Sequence, residues 1–296
     1  MLLKLFLNIT LAFLQGITDS SSDQKTTEKA EAKTEVLMEE VFNRFHINYE
    51  MSRTHKSGYY KETMIDTSSL CYLADGIVEI YVPSNLNDKD NAAVHPVRTR
   101  KKFFKKVQED YILIGNASDM ARSSVWRPRT FLNKKNRSHY NYRYTADTLI
   151  KGKATHIITF RTANGAGIAD GKLYVDKESY AIVKMVYSPA IAEKDNMWNS
   201  ITWTEEFTFR NGAYELATVN FKGISKEKFI YEAFLAMEQL ETVSEIPSDV
   251  SFINESFPIV TDEEESEEAN LGFWEGYDSF KKYAQPRQNY IAQKEQ

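Results

Sequence analysis

The chain has 296 residues, 42% of them hydrophobic and 27% charged, with a formal net charge of -5. That length allows one large core or two modest ones, and the acidic balance excludes the global basic field that recruits nucleic acid. The single cysteine, Cys71, excludes an intrachain disulfide and a zinc site built from several thiolates. In chain order, Met1-Leu2-Leu3-Lys4 and the apolar run from Leu5 to Leu14 have the basic start and apolar centre of a signal peptide. The run is too short to span a bilayer. A leader over 1–16 and a polar linker over 17–33 describe an exported protein, periplasmic or outer-membrane associated, without a transmembrane span. The alternative is an amphipathic first helix of a cytosolic protein.

From Glu35 to Phe45 the apolar positions Leu37, Val41, Phe42 and Phe45 recur at helical spacing, with Thr34 placed to cap them. The period then changes to two. Residues 58–65 and 72–81 read as neighbouring antiparallel strands rich in aromatic and branched side chains, followed by a basic strand around Arg98 to Lys106. Residues 117–136 are irregular and read as short helices and loops. Residues 140–149 and 155–161 form a hairpin across Lys151-Gly152-Lys153. The stretch from Gly165 to Tyr187 forms another, with Asp176-Lys177-Glu178-Ser179 as its turn. Ile201 to Phe209, Tyr214 to Lys222 and Phe229 to Met237 continue the meander, and Asn211-Gly212 is the strongest short hairpin signal in the chain. Sequential strands joined by short turns predict a mainly β fold of the α+β class: one large curved antiparallel sheet, a half-open barrel covered by the N-terminal helix. The β domain covers 34–260. The acidic run TDEEESEE at 261–268 begins a linker and tail over 261–296 that docks through the aromatic cluster at 273–277.

Candidate chemistry is sparse. The five histidines lack metal-ligand spacing, so no metal site is expected, and no cofactor motif is present. There is no nucleophile elbow. Gly165 and Gly167 precede a strand and no helix, which excludes a phosphate cradle. Glu205 should share a face with Trp203 and Phe207; it reads either as a charge at the sheet rim or, with Glu206, as the acid of a hydrolase acting on an envelope or glycan substrate. The basic strand with Phe103 and Phe104 reads either as a solvated edge or as a docking surface for an acidic partner.

Several short segments, in order, carry a resemblance. They are Phe45-His46-Ile47-Asn48-Tyr49, Leu73-Ala74-Asp75-Gly76-Ile77-Val78-Glu79-Ile80-Tyr81, Arg98-Thr99-Arg100-Lys101, Tyr140-Asn141-Tyr142, Gly171-Lys172-Leu173-Tyr174-Val175-Asp176 and Phe273-Trp274-Glu275-Gly276-Tyr277. Together they resemble the C-terminal region of the carboxypeptidase-like regulatory-domain proteins of the outer-membrane bacterial envelope, over about residues 33 to 283. The family's small β-sandwich domain is not found ahead of the helix. The resemblance implies no peptidase residues, and the layout is similar to that of the periplasmic lipoprotein carriers (LolA-like), whose half-barrel shields acyl chains. A non-enzymatic envelope protein follows, binding a lipid-like or amphipathic ligand or an outer-membrane protein. The candidate ligand-binding residues are Trp203, Phe207, Phe209, Tyr231 and Leu235, on the aromatic face of the late strands. Such a face either leaves a cavity or fills it with its own side chains.

Overall fold

The computed structural model describes residues 31–66, 69–85, 92–105, 117–122, 125, 131–132, 134–163, 169–189, 197–245 and 272–284. The expected leader over 1–16, the Gly165/Gly167 loop and the acidic run at 261–268 lie outside them. Helix α1 is described over 31–43, and α2 (Phe45–Asn48) follows. The strands are β1 (Thr54–Asp66), β2 (Ser69–Val82), β3 (Ala93–Phe103), β4 (Tyr140–Ile150), β5 (Lys153–Thr162), β6 (Ala169–Asp176), β7 (Ile182–Pro189), β8 (Trp198–Arg210), β9 (Ala213–Ser225) and β10 (Phe229–Thr242).

All ten form one antiparallel sheet in the order β3-β2-β1-β10-β9-β8-β7-β6-β5-β4. The sheet is curved but not closed into a barrel, so the predicted fold class holds. It consists of two meanders, β1 to β3 and β4 to β10, joined where β1 pairs with β10, as in Tyr60 opposite Leu235 and Met64 opposite Tyr231. The turns follow local chemistry. Lys151-Gly152 and Asn211-Gly212 each place both residues at positive φ (50° and 82°, 53° and 89°), the geometry a two-residue hairpin needs to match strand twist.

Alternation along each strand sends one set of side chains to the concave face. Tyr60, Met64, Tyr72, Ala74, Leu173, Met185, Phe207, Phe221, Tyr231 and Leu235 are all buried there. Two elements cover them. Helix α1 supplies Leu37, Met38 and Val41 at helical spacing. The connection from β3 to β4 must cross from one sheet edge to the other, and on the way it buries Met120 of α3 (Ala117–Met120), Val125, Phe131 and Leu132. Phe131 stacks on Phe160 at 4.0 Å. The sequence predicted the helical cover but read this connection only as irregular.

The convex face is also covered at β1, β2 and β10. A helical turn over 272–274 and a 3-10 helix (Asp278–Tyr283) place Phe273, Trp274 and Phe280 on Tyr59, Ile77 and Ala236. Arg98 of β3 holds this segment, donating to the carbonyls of Gly272 and Glu275, each at 2.8 Å. Arg100 pairs with Asp75 at 2.8 Å and lies over the Phe273 ring at 3.9 Å.

Tight packing between neighbouring strands gives a direct test. A Cβ on Gly171 would meet the Val186 carbonyl oxygen and would stand 2.8 Å from Tyr187 Cα, backbone atoms of β7 that cannot swing aside. Gly171→Ala should cost roughly 1–3 kcal/mol, read as a lower urea midpoint at unchanged slope; an unshifted midpoint would contradict this packing.

Candidate binding groove

The residues singled out from the sequence stand in different surroundings. Phe207, Tyr231 and Leu235 are buried at 4%, 2% and 0% exposure. Trp203 is half-buried, with Phe221 edge-on at 5.0 Å. Phe209 stands at the end of β8, 56% exposed, beside Tyr214. Glu205 and Glu206, adjacent in the strand, point to opposite faces. Glu205 is buried and accepts from the Tyr187 hydroxyl at 3.1 Å. Glu206 sits between Lys184 and Lys151 at 2.9 and 3.2 Å. These two carboxyl groups therefore do not share a cleft.

Two buried polar clusters lie in the core, and hydrophobic patterning alone signals neither. In the first, Glu62 of β1 has 0% exposure. The Tyr60 hydroxyl donates to it at 2.5 Å and the Tyr72 hydroxyl at 3.4 Å, while Tyr231 is hydrogen-bonded to both Tyr60 and Glu62. Burial and then the Glu62 charge push the hydroxyl pKa values of Tyr60, Tyr72 and Tyr231 well above the usual tyrosine value. These hydroxyls remain donors, which a buried carboxylate requires.

In the second cluster Lys56 pairs with Glu215 at 3.0 Å, both nearly out of solvent, and Arg210 approaches Glu215 at 3.2 Å from the rim. Burial lowers the Lys56 pKa against the pull of Glu215. Beside the pair lies a cavity of about 40 Å³ lined by Tyr49, Phe207 and Tyr214 among others. A space of that size holds water and nothing larger.

Among the described residues a ligand-sized space lies at the β4 edge. A groove of about 870 Å³ runs between α1 and the start of β4, within the range of about 300–1,000 Å³ usual for ligand sites. Helix α1 contributes Glu31, Thr34, Glu35 and Met38; the strands contribute Tyr140 to Arg143 and Thr159 to Arg161. Tyr142 and Phe160 belong to the apolar core surface, and Met38 faces them from the helix. The Tyr142 hydroxyl donates to the Phe131 carbonyl. Burial and then the nearby Asp170 push Tyr140 up to about 12. Thr34 does not cap α1. It lies within the helix, and its hydroxyl oxygen accepts from the Tyr144 backbone N–H at 2.8 Å, fixing the helix to the strand edge.

Among the described residues no cluster of His, Cys, Asp and Glu could hold a metal, and no helix is long and apolar enough to cross a membrane. No family model and no curated protein matches the chain. Solved structures with a similar layout include a DUF1329-family protein from Desulfovibrio piger, 9% identical over 70% of this chain and 92% of that one, at a TM-score of 0.32. A LolA-superfamily protein from Nitrosomonas europaea is 10% identical over 75% and 97% of the two chains, at 0.33. MucB is 9% identical over 71% and 94%, at 0.26. Nothing in these comparisons supports the resemblance to the carboxypeptidase-like regulatory-domain proteins. Scores this low carry no functional argument.

The buried clusters predict distinct mutational costs. Tyr231→Phe removes a hydrogen-bond partner of a buried carboxylate and should cost about 1.5–3 kcal/mol. Lys56→Met leaves Glu215 buried with only its rim partner and should cost about 3–5 kcal/mol, whereas adding Glu215→Met should recover most of it. Equal losses in the single and double variants, measured by denaturant unfolding, would contradict the pairing.

Proposed function

We propose that this chain is an exported, non-catalytic envelope protein that holds an apolar or amphipathic ligand in the groove between α1 and the β4 edge. The observation that carries this reading is the groove itself, which is large enough for a ligand and has Met38, Tyr142 and Phe160 in its wall. The concave interior is a weaker candidate, because α1 and the β3–β4 connection fill it with Leu37, Val41, Met120, Phe131 and Leu132. Export rests on the apolar run from Leu5 to Leu14 behind a basic start.

The competing readings have less support. A glycosidase-type mechanism needs two carboxyl groups across one cleft, and Glu205 and Glu206 lie on opposite faces. Docking of an acidic partner through Arg100 or Arg98 would have to displace Asp75 from the first and the backbone carbonyls from the second.

Glu35→Trp, at an exposed position of α1 that lines the groove, would narrow it without altering the apolar face of the helix. A fluorescent long-chain amphiphile should bind the wild type, and this substitution should weaken binding at least about tenfold, or about 1.4 kcal/mol. Equal binding by a Glu35→Trp protein with unchanged circular dichroism would sink the assignment of the groove.

A further inference from the structure

One wall of the groove is unpaired backbone. The Arg143 carbonyl faces β5, where it accepts from the Thr159 hydroxyl at 3.2 Å, and the His139 carbonyl accepts from the Ala163 N–H at 2.8 Å. Alternation along the strand turns the backbone groups of Tyr140, Tyr142 and Tyr144 the other way, towards the free edge of the sheet. The bond from the Tyr144 N–H to Thr34 confirms that direction and lets α1 seal the edge there. One helical turn away, at Met38, the edge opens into the groove. Among the described residues the Tyr142 N–H and C=O have no hydrogen-bond partner at this edge.

The opposite edge of the same sheet is defended. Strand β3 carries Pro96, Lys101 and Lys102, and its Arg98 is tied to the C-terminal segment. The sequence Tyr140-Asn141-Tyr142-Arg143-Tyr144 contains neither proline nor lysine. Arg143 and Arg161 alternate with the core-facing Tyr142 and Phe160, so they lie together on the convex face, both exposed and neither in an ion pair among the described residues. Glu31 and Glu35 line the helix side.

We propose that the β4 edge at Tyr140–Tyr142 accepts a short extended peptide as an added strand, with acidic side chains on the face it shares with Arg143 and Arg161. The inference rests on the groove being the protein's binding site. Alternate residues of the added strand turn to the two faces of the sheet. One set meets Met38 and Tyr142 and should be apolar; the other comes beside Arg143 and should be anionic. Main-chain pairing supplies the affinity and the two sets the specificity. Because α1 blocks the edge at Tyr144, a second copy of this sheet cannot pair along the whole of β4, which leaves a short chain segment as the occupant.

The test titrates the full chain with a short synthetic peptide alternating leucine and glutamate, and with two versions N-methylated on one or the other alternate set of amides. The peptide should bind. Methylating one set should weaken binding at least about tenfold, and methylating the other should leave it unchanged. Arg143→Glu should weaken the glutamate peptide and favour a lysine counterpart, while Arg143→Lys retains the wild-type preference. Binding indifferent to methylation, or unchanged by charge reversal, overturns the added strand. If the fluorescent amphiphile binds and the peptide does not, this inference falls and the groove stands. If neither binds, both fall.

Discussion

The ladder between β1 and β10 is the constraint on which the rest of the structure depends. It joins segments from opposite ends of the chain and turns two separate meanders into one sheet. Strands at that seam have neighbours on both sides and apolar side chains on both faces, so each face needs a cover. The concave cover is α1 with the β3–β4 connection, and the convex cover is the segment over 272–284. Neither cover would have a surface to bury against without the seam. Closing such a pairing loses chain entropy before its contacts form, so the meanders are expected to assemble locally and the seam later.

The seam also explains why a carboxylate is tolerated in the core. Glu62 occupies a concave position of β1, where alternation allows no escape to solvent. Its hydrogen-bond partners come from β1 itself, β2 and β10: Tyr60, Tyr72 and Tyr231. All those strands must be in register for the carboxylate to be satisfied. A slip of one residue in β10 would turn Tyr231 to the other face and leave a buried acid short of a donor. The cluster therefore penalises the misregistered pairings that an aromatic-rich sheet could otherwise adopt.

Strand identity was legible because it depends on near neighbours. Period-two alternation marked most of the strands, β3 being read from its basic run instead, and Asn211-Gly212 and Lys151-Gly152 marked hairpins whose backbones do lie at positive φ. Strand order depends on distant neighbours, and no local pattern announces that β10 returns to β1. The same limit applies to the choice of Trp203, Phe207, Phe209, Tyr231 and Leu235 as candidate ligand-binding residues. Alternation puts Phe207, Tyr231 and Leu235 on the concave face correctly, but whether that face is open depends on Phe131 and Leu132 in a stretch without periodicity. Thr34 looked like a cap because capping is a local role; its partner, Tyr144, lies far along the chain. Basic residues in β3 read first as a solvated edge and second as a docking surface, and only the positions of Asp75 and Phe273 decide what Arg100 does.

The groove follows from the same topology. A sheet that begins with β3 and ends with β4 has two free edges, and the connection between them spans the mouth. At β3 that edge is protected by charge, by Pro96 and by the tethered C-terminal segment. At β4 it is protected by α1, but a straight helix can meet a twisted strand closely over only part of its length. Thr34 holds the Tyr144 N–H and Phe42 packs edge-on against the Tyr142 ring, so contact is made at points along the helix, and a space remains between them beside Glu31, Glu35 and Met38. The groove is thus a geometric consequence of covering a twisted edge with a helix. Because it forms where backbone groups are left over, a ligand that offers its own backbone fits its chemistry better than a purely apolar one.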